Sequence, residues 1–403
     1  MRPELKIPFI LAWKHLLRSN KWTLSLIIFF MSIAFINMIF VPSLFNGIIE
    51  GFNYQIINAS TGNIFITPQN GQDYISNSSA AITAIEETSG VTAASPQISV
   101  PGILKYDGRR GSWSVYAINP TKEKRVTVVS QKMIAGSYLD ASDTDQIILG
   151  KGITGTGSKE DEINPFDLRG VQVGDTVIFS VNGTDTPLIV KGIFNTKFDN
   201  TDNNAFISQE TLKKINPLYV DDATRISVKI SKTGEESDII QKLEKRNIPG
   251  NIYSWEQASS LMSSISDSFL SINVILSIVG TLIAAITIFI VIYIDISSRR
   301  QEIGILRAIG IKPYLIRAMY IILSAVYSVA GVILGTGLFF AIIVPYFNFH
   351  PFALPIADAT LVVGAGDFIA RMETLIWVAI IAGLLPAVFI TRIKLLQAIW
   401  GGK

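Results

Sequence analysis

SSRRQEIGILRAIGIK, Ser297 to Lys312, lies between two long apolar runs, Leu270–Ile294 and Leu315–Tyr346. Each run exceeds the roughly 20 residues that a helix needs to cross a bilayer. The charged segment is therefore pinned to one membrane face by a hairpin of spans. Within it, Ile303, Leu306 and Ile309 recur at helical spacing with Ile305 on the flank, and Arg299, Arg300, Glu302 and Arg307 fill most of the remaining surface. Gly310 ends the pattern and Pro313 follows where a new helix begins. In many membrane proteins such a basic loop only sets topology, and that reading competes with a docking helix.

The composition extends the membrane reading to the whole chain. It has 403 residues, 49% of them hydrophobic and 16% charged, with a mean hydropathy of +0.41. That is too apolar for a soluble chain of this length, and the apolarity is concentrated in four runs. The net charge of +2 hides an asymmetry. Arg2, Lys6, Lys14, Arg18 and Lys21 precede the first run with only Glu4 against them, and Arg392, Lys394 and Lys403 follow the last. The stretch from Glu50 to Leu261 carries more acids than bases. The positive-inside rule then places both termini and Ser297–Lys312 in the cytoplasm and the large middle domain outside. With no cysteine in the chain, disulfides, thiolate catalysis and Cys-based zinc sites are excluded. The expected location is the inner or plasma membrane of a prokaryote.

Taken in order, residues 1–21 suit an amphipathic helix on the cytoplasmic interface, its basic side chains facing headgroups. Residues 22–58 form the first span and a stalk continuing outward past Pro42. The expected fold class is an α-helical membrane protein with four transmembrane helices, plus an α+β extracytoplasmic domain carrying a β-rich inserted subdomain. The α+β part covers 59–125 and 216–255: strands at Gly62–Thr67, Ala94–Val100, Gly102–Tyr106, Trp113–Ile118 and Arg225–Ile230, and helices at Ser78–Thr88 and Ser237–Lys245. Asn119-Pro120 and the polar residues to Arg125 look like a junction. The insert, 126–215, has a strand–turn–strand over Val171–Phe179, a hairpin turn at Asn182-Gly183 and a strand at Pro187–Phe194. Then come stalk and second span at 256–294, the charged segment at 295–314, a third span at 315–346, an outer loop at 347–372, a fourth span at 373–393 and a tail at 394–403. Gly331-x-x-x-Gly335 and Gly337 in the third span permit close helix–helix contact, as at a dimer seam, or are glycines simply tolerated in a membrane helix.

Gln301-Glu-Ile-Gly-Ile-Leu-Arg-Ala-Ile-Gly310 resembles the signature between the second and third spans of MacB- and FtsX-type ABC transporter permeases. Asn20-Lys-Trp-Thr23 before Leu24 is similar to the way that family enters its first span. Gly383-Leu-Leu-Pro-Ala387, Thr391-Arg392 and Leu396-Gln-Ala-Ile399 resemble its closing motif, with Phe389-Ile-Thr391 where an Arg-Ala-Ala run is usual. Gly174-Asp-Thr-Val177 and Gly192-Ile-Phe194 loosely resemble the insert in MacB and LolC/LolE-type outer domains. The resemblance implies a permease subunit, not an enzyme, paired with a second permease subunit (identical or different) and a cytoplasmic ABC ATPase dimer. This chain would bind no cofactor, ATP and Mg being held by the ATPase. The resemblance makes Ser297–Lys312 a coupling helix. Ile303, Leu306 and Ile309 would fill a groove on the ATPase, Arg299, Arg300, Glu302 and Arg307 would contact its charged rim, and Gly304 and Gly310 would permit close approach. It also implies mechanotransmission, in which ATPase closure moves the outer domain through the stalk. The work done would be lipoprotein or lipid extraction, or export of peptides or small toxic molecules, with an outside substrate or acceptor protein as partner and no nucleic acid. The alternatives are a membrane sensor signalling through the cytoplasmic loop, an FtsX-like regulator of a cell-wall hydrolase, and a structural anchor.

The sequence holds little that reads as catalysis. Gly152-Ile-Thr-Gly-Thr-Gly-Ser-Lys159 transposes the Lys and Ser of a phosphate loop. Glu160-Asp-Glu162 lacks the alternating ligands of a calcium loop. His15 and His350 are far apart in the chain, and no span carries a run of charge. No metal site or catalytic centre is expected.

Overall fold

A computed structural model describes residues 3–155, 167–217, 219, 221–258, 260–353 and 358–392. The acidic run Glu160–Glu162, the end of the glycine-rich segment at Lys159 and the tail 394–403 lie outside the described residues. The helices used below are α1 (Pro3–Arg18), α2 (Lys21–Gln55), α3 (Ser78–Glu86), α4 (Pro120–Val126), α5 (Gln209–Ile215), α6 (Glu236–Lys245), α7 (Ser260–Ser298), α8 (Arg300–Ala308), α9 (Pro313–Leu338) and α10 (Ala365–Arg392). The chain forms two compact units: Met1–Ile49 with Asp267–Ala353 and Ala359–Lys403, and Glu50–Ser266 with Leu354–Asp358.

The first unit is helical. Among the described residues, four segments are long and apolar enough to span a bilayer: Lys21–Thr61, Val274–Ser298, Pro313–Phe349 and Ala365–Phe389. Their shared core joins Met31, Phe35 and Met38 of α2, Ile288 and Ile292 of α7, Tyr320 and Tyr327 of α9, and Leu375 and Ala379 of α10. Lipid tails are as apolar as these side chains, so close packing rather than water exclusion selects the contacts. The glycines of α9 show how. A Cβ on Gly331 would lie 2.4 Å from the Cβ of Met31, and one on Gly335 would lie 3.0 Å from Phe35 and 3.1 Å from the carbonyl of Ser32. Both glycines thus seat α9 on α2 of the same chain.

α10 begins well before the expected start of the fourth span, inside what reads in the sequence as an outer loop. Charged residues at Asp367, Arg371 and Glu373 interrupt the apolar run and hide the helix. In the structure Asp367 and Arg371 have local roles. Asp367 lies in the first turn, where the helix dipole favours an acid, and accepts from Asn46 Nδ2 at 3.2 Å. Arg371 donates to Ser277 Oγ of α7 at 2.8 Å.

The second unit is built on a ten-stranded sheet: β1 (Ile64–Thr67), β2 (Val91–Tyr106), β3 (Arg109–Ile118), β4 (Met133–Gly136), β5 (Gln146–Gly150), β6 (Thr176–Val181), β7 (Thr184–Phe194), β8 (Ala205–Ser208), β9 (Arg225–Ile230) and β10 (Asn251–Ser254). Strands run in the order β10-β1-β9-β2-β3-β8-β5-β7-β4, and β6 bridges β2 and β7. That bridge closes β2, β3, β8, β5, β7 and β6 into a ring, which removes the free edges these strands would otherwise expose. Leu104, Val115, Ile147, Leu149, Phe179, Leu188 and Val190 fill it. The open part of the sheet packs Ile64, Ile66, Ile226 and Val228 against Ile82 and Ile85 of α3 and Ile239 and Leu243 of α6.

β2 belongs to both parts. Its first half pairs with β9 and residues Ile103–Lys105 pair with β6. It runs unbroken through Pro101, where the sequence predicts two strands. Pro101 falls between those partners, so its missing N–H breaks no ladder on that side. Strands assigned by sequence to the α+β part therefore complete the ring of the insert. Two local expectations also change. The expected junction at Asn119–Arg125 forms α4 (Pro120–Val126), capped by the Asn119 side chain, which accepts from the N–H groups of Thr121 and Lys122 at 3.2 Å each. Val171–Gly174 is a turn rather than a strand, with Gly174 at φ +95°. Asn182 (φ 50°) and Gly183 (φ 82°) make the expected hairpin turn.

Candidate functional site

Between α7 and α9 the backbone breaks twice. Arg299 leaves helical geometry (φ −111°, ψ 21°) and α8 starts at the next residue. At the other end, Gly310 adopts φ +96°, its N–H donates to the Arg307 carbonyl at 3.2 Å, and the Ile311 N–H donates to Leu306 at 3.1 Å. This is a glycine C-cap, so Gly310 is required by backbone conformation. Pro313 then opens α9 at a position that needs no N–H.

α8 does not present its apolar residues on one side. Ile303 is 2% exposed and packs into the helical core, and Gly304 is buried beside it. Leu306 is half-buried against that core. Ile305 and Ile309 are 55% and 71% exposed. The reason is geometric. At 3.6 residues per turn, each three-residue step drifts about 60° around the helix, so Ile303 and Ile309 diverge by about 120°. Ile305 and Ile309, four apart, share a face. The expected stripe of Ile303, Leu306 and Ile309 thus divides into an inward anchor, a flank and an outward tip. Glu302 is exposed beside the outward face, while Arg299, Arg300 and Arg307 are half-buried.

Arg299 ties α8 to its surroundings. Its Nη2 donates to Ser19 Oγ, just past α1, at 2.6 Å. Its Nε lies 3.6 Å from Asp295 Oδ1, and its Nη1 lies 3.7 Å from Glu302. Asp295, at the end of α7, has a side chain only 1% exposed and also faces His15 Nε2 of α1 at 3.5 Å. The His15 ring meets Tyr320 of α9 edge-on at 5.9 Å. Sequence reading sets His15 aside because its partners lie some 280 residues away in the chain; the one local signal is the Asp295-to-Arg299 spacing at i and i+4.

A second buried polar group lies in the outer unit. Glu123 of α4 accepts from Ser95 Oγ (2.6 Å), Gln97 Nε2 (2.9 Å) and Thr127 Oγ1 (3.2 Å). The Gln97 Oε1 accepts in turn from Arg225 Nε at 2.9 Å, whose guanidinium sits 5.5 Å from the Tyr116 ring centre. Burial pushes the Glu123 carboxyl above its ordinary value, against the opposing pull of Ser95, Gln97 and Arg225. The adjoining cavity of ≈ 40 Å³ has room for only about three waters.

Comparison with known proteins adds independent observations. Residues 24–246 match the MacB-like periplasmic core domain, and residues 274–396 match the FtsX-like permease C-terminal family. The ABC transporter permease YtrF of Bacillus subtilis is 26% identical over 137 residues, which make up 33% of this chain and 31% of that relative. The match thus spans about a third of the length of that protein. Among solved structures, the periplasmic region of MacB from Actinobacillus actinomycetemcomitans aligns at 17% identity, covering 53% of this chain and 95% of that one, with a TM-score of 0.37. The extracellular domain of the noncanonic ABC-type transporter YknZ from Gram-positive bacteria aligns at 12% identity, covering 47% and 97%, with a TM-score of 0.34.

Proposed function

Because the chain belongs to the MacB/FtsX-type family of ABC transporter permeases, we propose that it is a permease subunit in which α8 is the coupling helix for a cytoplasmic ABC ATPase. The observation that carries this is the short α8, anchored inward by Ile303 and presenting Ile305 and Ile309 outward between two spans. Two exposed isoleucines four residues apart suit an apolar groove, and Glu302, Arg300 and Arg307 suit its polar rim. Arg299 serves the protein's own framework through Ser19 and Asp295.

In this reading ATP and Mg stay on the ATPase, two permease subunits act together, and both termini are cytoplasmic. Motion of α8 passes along α2 and α7 to the outer unit by mechanotransmission. The core of the helical unit supports that mode. Its buried face is filled largely by apolar side chains, among them Met31, Phe35, Met38, Ile288 and Leu323. The work performed outside would be extraction of a lipid or lipoprotein, or export of a peptide or small toxic molecule.

The test is co-purification of the detergent-solubilised chain with an ABC ATPase encoded beside it. An aspartate at position 309 would put an unpaired charge into an apolar groove, which costs about 3–5 kcal/mol, over a hundredfold in affinity. Ile309→Asp is expected to abolish capture and ATPase stimulation while the protein stays monodisperse. Capture equal to wild type removes α8 from the interface.

A further inference from the structure

α1 has three faces. Pro8 and Ala12 are buried, with Leu11, His15 and Leu16 half-buried beside them. Phe9, Ile10, Trp13 and Leu17 form an exposed apolar stripe, Leu17 at 70% exposure. Lys14, Arg18 and, just after the helix, Lys21 are exposed next to that stripe, and none forms an ion pair among the described residues. An aromatic and aliphatic stripe flanked by cations, on a helix that ends three residues before a membrane span, matches an interface of acyl chains and negative headgroups. The inner face of the same helix leads to α8. His15 meets Asp295, and Ser19 accepts from Arg299, the residue immediately before α8.

We propose that α1 is a docking surface for anionic phospholipid headgroups, and that its docking positions α8 through the Ser19–Arg299 hydrogen bond. Each cation near an anionic surface contributes roughly a five-fold preference, so Lys14, Arg18 and Lys21 together contribute about a hundredfold. Lipid charge then orders α1, the ordered helix holds Ser19 in place, and Ser19 fixes the start of α8. The effect belongs to the permease alone and does not depend on what docks on α8.

The absence of native cysteine makes the experiment direct. A nitroxide is placed on Leu17→Cys in one protein and on Ile309→Cys in another, each in nanodiscs of phosphatidylcholine alone or with phosphatidylglycerol. With the anionic lipid, the label at 17 is expected to become more buried and less mobile, and the label at 309 to become less mobile. Replacing Lys14, Arg18 and Lys21 by glutamine abolishes both responses, while Lys14→Arg, Arg18→Lys and Lys21→Arg together preserve them. Ser19→Ala preserves the response at 17 and abolishes it at 309. A label at 17 that behaves alike in both bilayers overturns the docking, leaving simple apolar insertion. A response that survives the glutamine variant assigns the surface to another occupant, such as a second copy of the chain. A response at 309 that survives Ser19→Ala overturns the connection.

Discussion

Ile303 lies within α8 and Ile309 caps its C-terminal end, and the two have opposite surroundings. Their residue types do not distinguish them, and an i, i+3 reading of the sequence puts both on one face. Burial separates their expected phenotypes. Ile303→Asp places a carboxylate in the helical core and is expected to lower thermal stability and yield. Ile309→Asp is expected to leave both unchanged. Glu123 gives a residue-scale prediction in the outer unit. Its carboxyl is raised above the ordinary 4.5 by burial, so the folded state holds a proton that the unfolded state releases. The stability it contributes is full below 4.5 and is lost as pH rises through the raised folded value. Glu123→Gln keeps the acceptor towards Gln97 and Thr127 and can donate towards Ser95. Thermal melts across this window should show the wild type losing stability more steeply than the variant as pH rises. A variant with the same slope removes Glu123 as the cause.

At the scale of elements, apolar runs and turn residues made most of the structure legible. The four spans, the hairpin at Asn182-Gly183 and the strand over Arg225–Ile230 follow from local pattern. The start of α10 did not, because its charges pair with Asn46 and Ser277 on other helices, and no window of sequence contains those partners. α4 was hidden for another reason: a seven-residue helix opened by Asn-Pro shares its signal with a turn. The glycine pair in α9 reads in the sequence as a dimer seam or as tolerated glycine, whereas the structure uses it to seat α9 on α2 of the same chain. With Met31 and the Ser32 backbone against Gly331, Gly331→Leu forces α9 off α2. Overpacking of this kind costs about 1–3 kcal/mol or more. The expected outcome is a lower melting temperature in detergent, with Gly337→Leu, where nothing lies within 4 Å, as the tolerated control. Equal stability of the two variants would place the contact elsewhere.

For the whole molecule, the sequence separates a membrane-spanning part from an α+β part because acids outnumber bases from Glu50 on and the residue pattern changes at about residue 59. The ring of strands in the outer unit was not legible. β2 reads as two short strands, and its ring partners lie as far away as β6 and, through β3, β8. Only the paired register shows that residues 103–118 complete the insert. The candidate docking surface was half legible: the motif marks α8, while the division between anchor and outward face depends on how the helix meets the core. Single cysteines at 303, 305 and 309 would be labelled with maleimide in the presence and absence of the partner ATPase. Fast labelling is expected at 305 and 309, suppressed by the ATPase, with slow labelling at 303 with or without it. Labelling at 309 that is unaffected by bound ATPase, or protection confined to 303, would contradict the division between anchor and outward face.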